Sequence, residues 1–217
     1  MIENVRKYPV ATVIVLSVYY LIGVIGLSME MSRQLFQNLI PATLLFSLYF
    51  LWLFDERQDK RMLYLGGVVV FLLGFLIEVA GVKSGLIFGH YEYGKTLGIK
   101  VLETPLMIGV NWLLLIYSGK ALIGLFTSNR WLSYLAGGTI LVLYDFALEP
   151  AAIRFDMWTW FNVPVPLHNY IGWFIVSFVF FAIFDIFVKR IENKIAPAMF
   201  IIQFLFFVLL DVVNYFV

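Results

Sequence analysis

An all-α, polytopic bundle of about seven transmembrane helices is the fold class the sequence predicts, and three observations predict it. Hydrophobic residues make up 62% of the 217-residue chain and charged residues only 13%. The mean hydropathy is +0.92. The apolar residues also fall into runs of about 20, the length a helix needs to cross a hydrocarbon core. A soluble fold can hide one such helix, not six or seven, because too little polar sequence remains to cover them. At this length residues 1–217 read as a single integral-membrane domain.

The first run follows Arg6-Lys7 and covers Tyr8–Leu27. It is too long for the apolar region of a signal peptide and no small-x-small cleavage site follows it, so it reads as a retained span. The second, Leu35–Phe54, ends at the polar turn DERQDKR, Asp55–Arg61. Asp55 and Asp59 give the one DxxxD spacing in the chain, and inside that turn they read as a solvated face. The third run is Met62–Val82. The fourth, Pro105–Phe126, contains Lys120, whose stem can snorkel while the helix continues. The fifth and sixth, Trp131–Ala147 and Tyr170–Phe187, are at the short side for spanning. The polar segment KRIENK, Lys189–Lys194, precedes the seventh, Ala196–Phe216.

Seven spans put Arg6, Lys7, Arg57, Lys60, Arg61, Lys120, Arg130, Lys189, Arg190 and Lys194 on one side. Arg33, Lys83, Lys95, Lys100 and Arg154 fall on the other. Cytoplasmic loops carry the excess of Lys and Arg, so the N-terminus is expected in the cytoplasm and the C-terminus outside. Two long connections share the external face. Val82–Thr104 carries Gly85, Gly89, His90, Tyr91, Glu92, Tyr93, Gly94 and Gly98. Glu149–Asn169 carries Pro150, Arg154, Asp156, Trp158, Trp160, Pro164, Pro166 and His168. Glycines permit close backbone approach and aromatics supply interface anchors or pocket walls, so a site would be built there.

Several function classes are disfavoured. With no cysteine there is neither a disulfide nor a thiolate metal site. His90 and His168 are too few for a di-iron enzyme, and no metal is expected. There is no GxGxxG fingerprint or phosphate loop, and no cofactor is expected. No basic stripe interleaved with aromatics points to nucleic acid.

The informative residues are acids placed in or beside apolar runs, since lipid makes an isolated charge expensive and such groups face a bundle interior, a cavity or a partner. Glu78 lies near the end of the third run, with Gly74 four residues before and Gly81 three after, so close neighbours fit on that side. Its structural alternative is a packing face with one hydrogen-bonded Glu. Asp145 and Glu149, in YDFALEP at the end of the fifth run, are spaced i,i+4 and share a helix face. Like charges a turn apart oppose joint ionisation. One acid can therefore keep its proton while the other is ionised, the pairing general acid–base chemistry needs. The alternative is a helix end at which Glu149 pairs with Arg154. Asp211, with Asn214 three residues on, can join the external half of the bundle. Asp185 is explained by a local pair with Lys189 at i+4. Asn111-Trp112, Asn169, Tyr170 and Trp173 are candidate polar and aromatic lining.

The stretch GFLIEVAGVKSGLIFGHYEYGKTLGIKVLETPLMIGVNW, Gly74–Trp112, resembles the membrane-bound carotenoid biosynthesis protein family. The resemblance continues at YDFALEP, Tyr144–Pro150, and VPLHNYIGWF, Val165–Phe174; the first two spans contribute little. It implies cofactor-independent addition of water to the terminal carbon–carbon double bond of an acyclic carotenoid end, giving a tertiary alcohol. The positions that match are Glu78, Gly81, Gly85, Gly89, Tyr91, Tyr93, Gly94, Asn111, Trp112, Asp145, Glu149, Pro150, Asn169 and Trp173. The substrate implied is a linear or monocyclic carotenoid: lycopene, gamma-carotene or a C50 precursor.

Hydration also fits the acids taken by themselves. Protonating a trisubstituted alkene puts positive charge on the more substituted carbon, and water captures it. Asp145 is the first choice as donor, with Glu149 or Glu78 orienting water and taking back its proton. Tyr91, Tyr93, Trp112 or Trp173 can stabilise the cation over a ring face by about 0.5–2 kcal/mol per contact. The polyene would stay in membrane lipid while its end enters through a lateral opening between helices. The competing classes are a carotenoid end-group cyclase, which protonates the same alkene but adds no water, a proton-coupled transporter, and a carotenoid-binding membrane protein. No inverted repeat of broken helices favours transport. The apolar surface permits a homo-oligomer, but no small-residue stripe identifies an interface.

Overall fold

The computed structural model describes residues 6–161 and 165–216; Pro164, expected in the second long connection, lies outside them. Among the described residues seven long helices form: α1 Pro9–Ser28, α2 Glu30–Phe54, α3 Arg61–Ser84, α4 Met107–Ile123, α5 Arg130–Arg154, α6 Leu167–Phe187 and α7 Ala196–Phe216. All seven are long and apolar enough to cross a membrane, and the chain is a polytopic seven-helix membrane protein. The connections add four short strands: β1 Tyr91–Tyr93, β2 Lys100–Val101, β3 Thr104–Pro105 and β4 Trp158–Trp160.

The helix bounds differ from the apolar runs where polar residues find partners. α2 begins at Glu30, not Leu35, because its polar first turn closes the end of α1. Ser32 Oγ donates to the Gly26 carbonyl at 2.8 Å, and Arg33 donates to the carbonyls of Leu27 and Ser28 at 3.2 and 3.4 Å. Those are carbonyls a helix C-terminus leaves free. α5 runs to Arg154, seven residues past the expected end, with Pro150 inside it. A proline removes one helical donor, yet membrane helices tolerate it where neighbours enclose the backbone; Leu148, Glu149, Ala151 and Ala152 are all buried. Asp145 and Glu149 are thus interior to a 25-residue helix, not at its end.

α4 is the central post, with 78% of its span buried. It packs against α2, α3, α5, α6 and α7. Glycine lets α3 come close: a Cβ on Gly74 would lie 2.7 Å from the Cβ of Trp112.

At the end of the bundle away from the strands, each buried acid meets a cation. Lys120 is buried, 2.6 Å from Asp185, which also receives Lys189 at 3.1 Å, Arg130 at 3.3 Å and the Tyr134 hydroxyl at 2.9 Å. The expected Lys189 pair exists, but it is one of four contacts. Asp55 corrects the expectation of a solvated face: it is fully buried, bonded to Arg57 Nη2 and the Tyr117 hydroxyl at 2.6 Å each. Arg6 Nε, next to this turn, donates to the Leu53 carbonyl.

Replacing Asp185 with Ala leaves Lys120 buried without its nearest partner, at an expected cost of about 3–5 kcal/mol. The denaturation midpoint of the solubilised protein measures this. Exchanging both partners for apolar residues, Lys120→Met with Asp185→Leu, should recover most of the loss.

A buried carboxylate chamber as the candidate active site

The strands form where the two long connections meet. β1 pairs antiparallel with β4, setting Tyr91 opposite Trp160 and Tyr93 opposite Trp158. Side chains alternate along a strand. Tyr91, Tyr93, Trp158 and Trp160 therefore all point into the protein, and Glu92 and Thr159 point out. Four aromatic side chains cap the bundle as a lid. It is clamped from one side by Gly94, whose amide donates to the Met157 carbonyl at 2.8 Å, and by Thr96, whose hydroxyl donates to the Phe155 carbonyl at 2.6 Å. Only glycine fits at position 94, since a Cβ would lie 2.1 Å from the Asp156 carbonyl oxygen. Gly85 ends α3 in the left-handed region at φ 65°, where its missing side chain leaves room for the His90 ring. Gly81 lies against Phe88 and Tyr91, and Gly89 against Pro166 and Trp160.

Below the lid three carboxylates line one small chamber. Glu78, from α3, accepts the Tyr91 and Tyr93 hydroxyls on Oε2 at 2.6 and 2.7 Å and Trp112 Nε1 on Oε1 at 3.0 Å. Glu149, from α5, accepts Trp158 Nε1 at 3.1 Å and Trp160 Nε1 at 2.8 Å, both on Oε2. Asp145, one turn earlier, accepts Asn169 Nδ2 on Oδ2 at 2.6 Å, and the same amide reaches Glu149 Oε1 at 3.5 Å. Asp145 Oδ1 has no partner among the described residues, although the side chain is fully buried. Burial, and then the facing Glu78 carboxylate, hold the Tyr91 and Tyr93 phenols well above their usual pKa. They stay protonated and act as donors. Trp112 stacks on Trp173 with ring centroids 4.5 Å apart, which continues the aromatic wall from the lid to α6.

Measured by the space the centre of a water molecule can sweep, the chamber holds about 20 Å³, enough for a water. Its donors to the carboxylates are neutral: two phenols, three indoles and one amide. Among the described residues no three His, Cys, Asp or Glu side chains gather as metal ligands.

The structure brings together Glu78, Tyr91, Tyr93, Asn111, Trp112, Asp145, Glu149, Asn169 and Trp173, nine of the residues singled out from the sequence. Pro150 is one residue beyond Glu149, in the same helix. Asp211 is not part of the chamber: it is half-buried on α7 and lines neither the acid chamber nor the apolar space beside it. The alternative pairing of Glu149 with Arg154 does not form, since Arg154 reaches the Asn214 carbonyl instead. Sequence reasoning missed the roles of Trp158 and Trp160 as donors to Glu149. Their signal is the two-residue period shared by YEY and WTW, which marks two short strands with matched inward faces.

Fold and site together define an integral membrane protein with an acid chamber closed by an aromatic lid. The chain belongs to the carotenoid biosynthesis protein family, whose description residues 36–217 match. Over 127 residues it is 30% identical to the bisanhydrobacterioruberin hydratase of Haloarcula japonica, a stretch covering 54% of this chain and 43% of that protein. The chain thus aligns with less than half of that relative's length. No solved structure matches it.

Exchanging Tyr91 and Tyr93 for Phe leaves Glu78 Oε2 buried with neither of its donors. Each single exchange leaves the other donor and is expected to lower stability by about 0.5–1.5 kcal/mol, and the double exchange, which leaves the oxygen unsatisfied, by about 1–3 kcal/mol. Denaturation midpoints of the two single variants and the double variant measure it; an unchanged double variant would show that Glu78 does not depend on the lid.

Proposed function

We propose that the protein is a carotenoid hydratase, a cofactor-independent hydro-lyase that adds water to the terminal double bond of an acyclic carotenoid end. One observation carries the reading: among the described residues three carboxylates enclose a water-sized space with no cation beside them, and one carboxylate oxygen, Asp145 Oδ1, has no donor. Indole N–H groups only donate. Trp112, Trp158 and Trp160 therefore occupy acceptor oxygens of Glu78 and Glu149, whereas Asp145 Oδ1 is left free to carry a proton.

Asp145 is the general acid. It gives its proton to the less substituted carbon of the alkene, and the positive charge forms on the dimethyl-substituted carbon. Water held by Glu149 attacks that carbon and passes a proton to the carboxylate. One carbon–hydrogen and one carbon–oxygen bond form, one π bond is lost, and a proton moves back to Asp145 before the next cycle. Glu78 holds the lid tyrosines and adds negative potential opposite the cation. The stacked Trp112 and Trp173 faces oppose escape of the charge. A buried, preorganised chamber gains over water because the donors are already in place when charge develops.

The family and the similarity to a bisanhydrobacterioruberin hydratase support the same chemistry. Lycopene, gamma-carotene and a C50 precursor with acyclic ends are the candidate substrates. The excess of Lys and Arg at the opposite end of the bundle supports a chamber facing the external side of a prokaryotic cytoplasmic membrane, with the N-terminus inside.

Expression in cells accumulating each of the three carotenoids tests the function. The expected product is heavier by one water with its chromophore unchanged, and in water enriched in heavy oxygen the label enters the tertiary hydroxyl. A product of unchanged mass would make the protein a cyclase, and no product from any of the three would overturn the reading. The Asp145→Asn variant should lose turnover while remaining folded and retaining carotenoid; turnover like that of the unaltered protein would remove Asp145 from the role of acid.

A further inference from the structure

A second chamber lies beside the acid chamber, between α1, α2, α4, α5 and α7. By the same measure it is larger, about 130 Å³. On α1 it is lined by Tyr19, Tyr20, Ile22, Gly23 and Leu27, and on α2 by Phe36, Leu39, Ile40, Thr43 and Leu44. Each set falls on one helical face by its three- and four-residue spacing. Most polar groups on these walls bond to one another: Tyr19 with Thr43 at 2.8 Å, and Tyr20 with Ser47 at 2.7 Å and with Gln203 Nε2 at 3.0 Å, while Gln203 Oε1 has no partner among the described residues. What remains toward the space is mainly hydrocarbon and aromatic ring. Gly23 keeps one wall back, since a Cβ there would lie 3.2 Å from the Phe206 ring.

Two features give this chamber a direction. Ile22 and Leu39 line it and are also 52% and 43% exposed on the outer surface, so its mouth lies between α1 and α2 on the face that meets lipid. At its inner end Ile108, Asn111, Leu148 and Trp158 line both this chamber and the acid chamber. The larger apolar groove between α2, α3 and α4, about 420 Å³ around Trp52, Tyr64 and Val68, shares no lining residue with the acids.

We propose that the α1–α2 chamber is the entry and binding site for the acyclic end of the carotenoid, which passes from lipid between Ile22 and Leu39 to a threshold at Ile108, Asn111, Leu148 and Trp158. This rests on the proposed hydration for the identity of the occupant. The chamber is too small for a whole carotenoid. It takes the terminal isoprenoid units, and the rest of the polyene stays in lipid against α1 and α2. Apolar matter of this kind gains from an apolar wall and from nothing else the site offers, whereas the alkene to be protonated must cross the threshold. The enzyme therefore reads the end of its substrate and not its length, and chains of different total length with the same acyclic end are accepted alike.

The natural absence of cysteine makes the test direct. Thr43→Cys places a single thiol in the chamber, Ile22→Cys at its mouth and Val68→Cys in the unconnected groove. Each variant in lipid nanodiscs is labelled with an apolar fluorescent maleimide, with and without lycopene. Lycopene is expected to slow labelling several-fold at positions 43 and 22 and to leave position 68 unchanged. Protection at position 68 alone, or at none of the three while lycopene stays bound, overturns the proposal. Labelling reads occupancy without turnover, so the two readings separate. Protection without hydration retains the chamber and removes the hydratase; hydration without protection does the reverse.

Discussion

A carboxylate buried in a membrane bundle must be given partners, and the kind of partner decides what it can do. The two ends of this protein solve the problem in opposite ways. Away from the lid, Asp55 and Asp185 meet Arg57, Lys120, Lys189 and Arg130. Their charge is neutralised and they tie helices together. Under the lid, Glu78 and Glu149 meet phenols and indoles. Those groups satisfy lone pairs without cancelling charge. The chamber therefore keeps an excess of acid, which an ion-paired cluster would not.

The neutral donors come from two connections far apart in the chain, which makes the site depend on the β1–β4 pairing. Tyr91 and Tyr93 of one strand serve Glu78 on α3, and Trp158 and Trp160 of the other serve Glu149 on α5. A shift of one residue in register would turn one strand's two rings outward and strip the carboxylate they serve of its donors. The close contact of Gly94 with Asp156 and the Thr96 bond to Phe155 fix that register from outside the chamber. The lid and the acids are thus one unit: the acids hold the rings inward, and the rings shut the acids off from bulk solvent.

Much of this was legible in the sequence, for physical reasons that also explain what was not. Apolar runs report helices because lipid permits little else, so all seven were readable. Glu78, Asp145 and Glu149 stood out because charge is rare in such runs. The end of α5 was misread because Pro150 and Glu149 look like a terminus when the groups that enclose them are not visible. Asp55 was misread because Tyr117, which donates to its carboxylate, and Asn193, which bridges its backbone, are remote in sequence. Asp211 illustrates the converse: a polar residue in an apolar run says that a partner or cavity is needed, but not which one, and α7 turns it away from the chamber. The lid was missed because a three-residue strand has too little pattern to be seen alone; only YEY and WTW taken together carry it.

The division of the chain between chemistry and substrate is the last consequence of this arrangement. Every residue lining the acid chamber lies within 36–217, the part matched to the carotenoid biosynthesis family. α1 lies before it, and contributes nothing to the acids, yet it forms one wall and half the mouth of the apolar chamber. On the proposed mechanism, changes on α1 alter which chain end is admitted without disturbing proton transfer, because Ile108, Asn111, Leu148 and Trp158, not α1, separate the two spaces. In the proposed hydratase, the acid mechanism is thus separable from the first helix, which faces the end of the substrate.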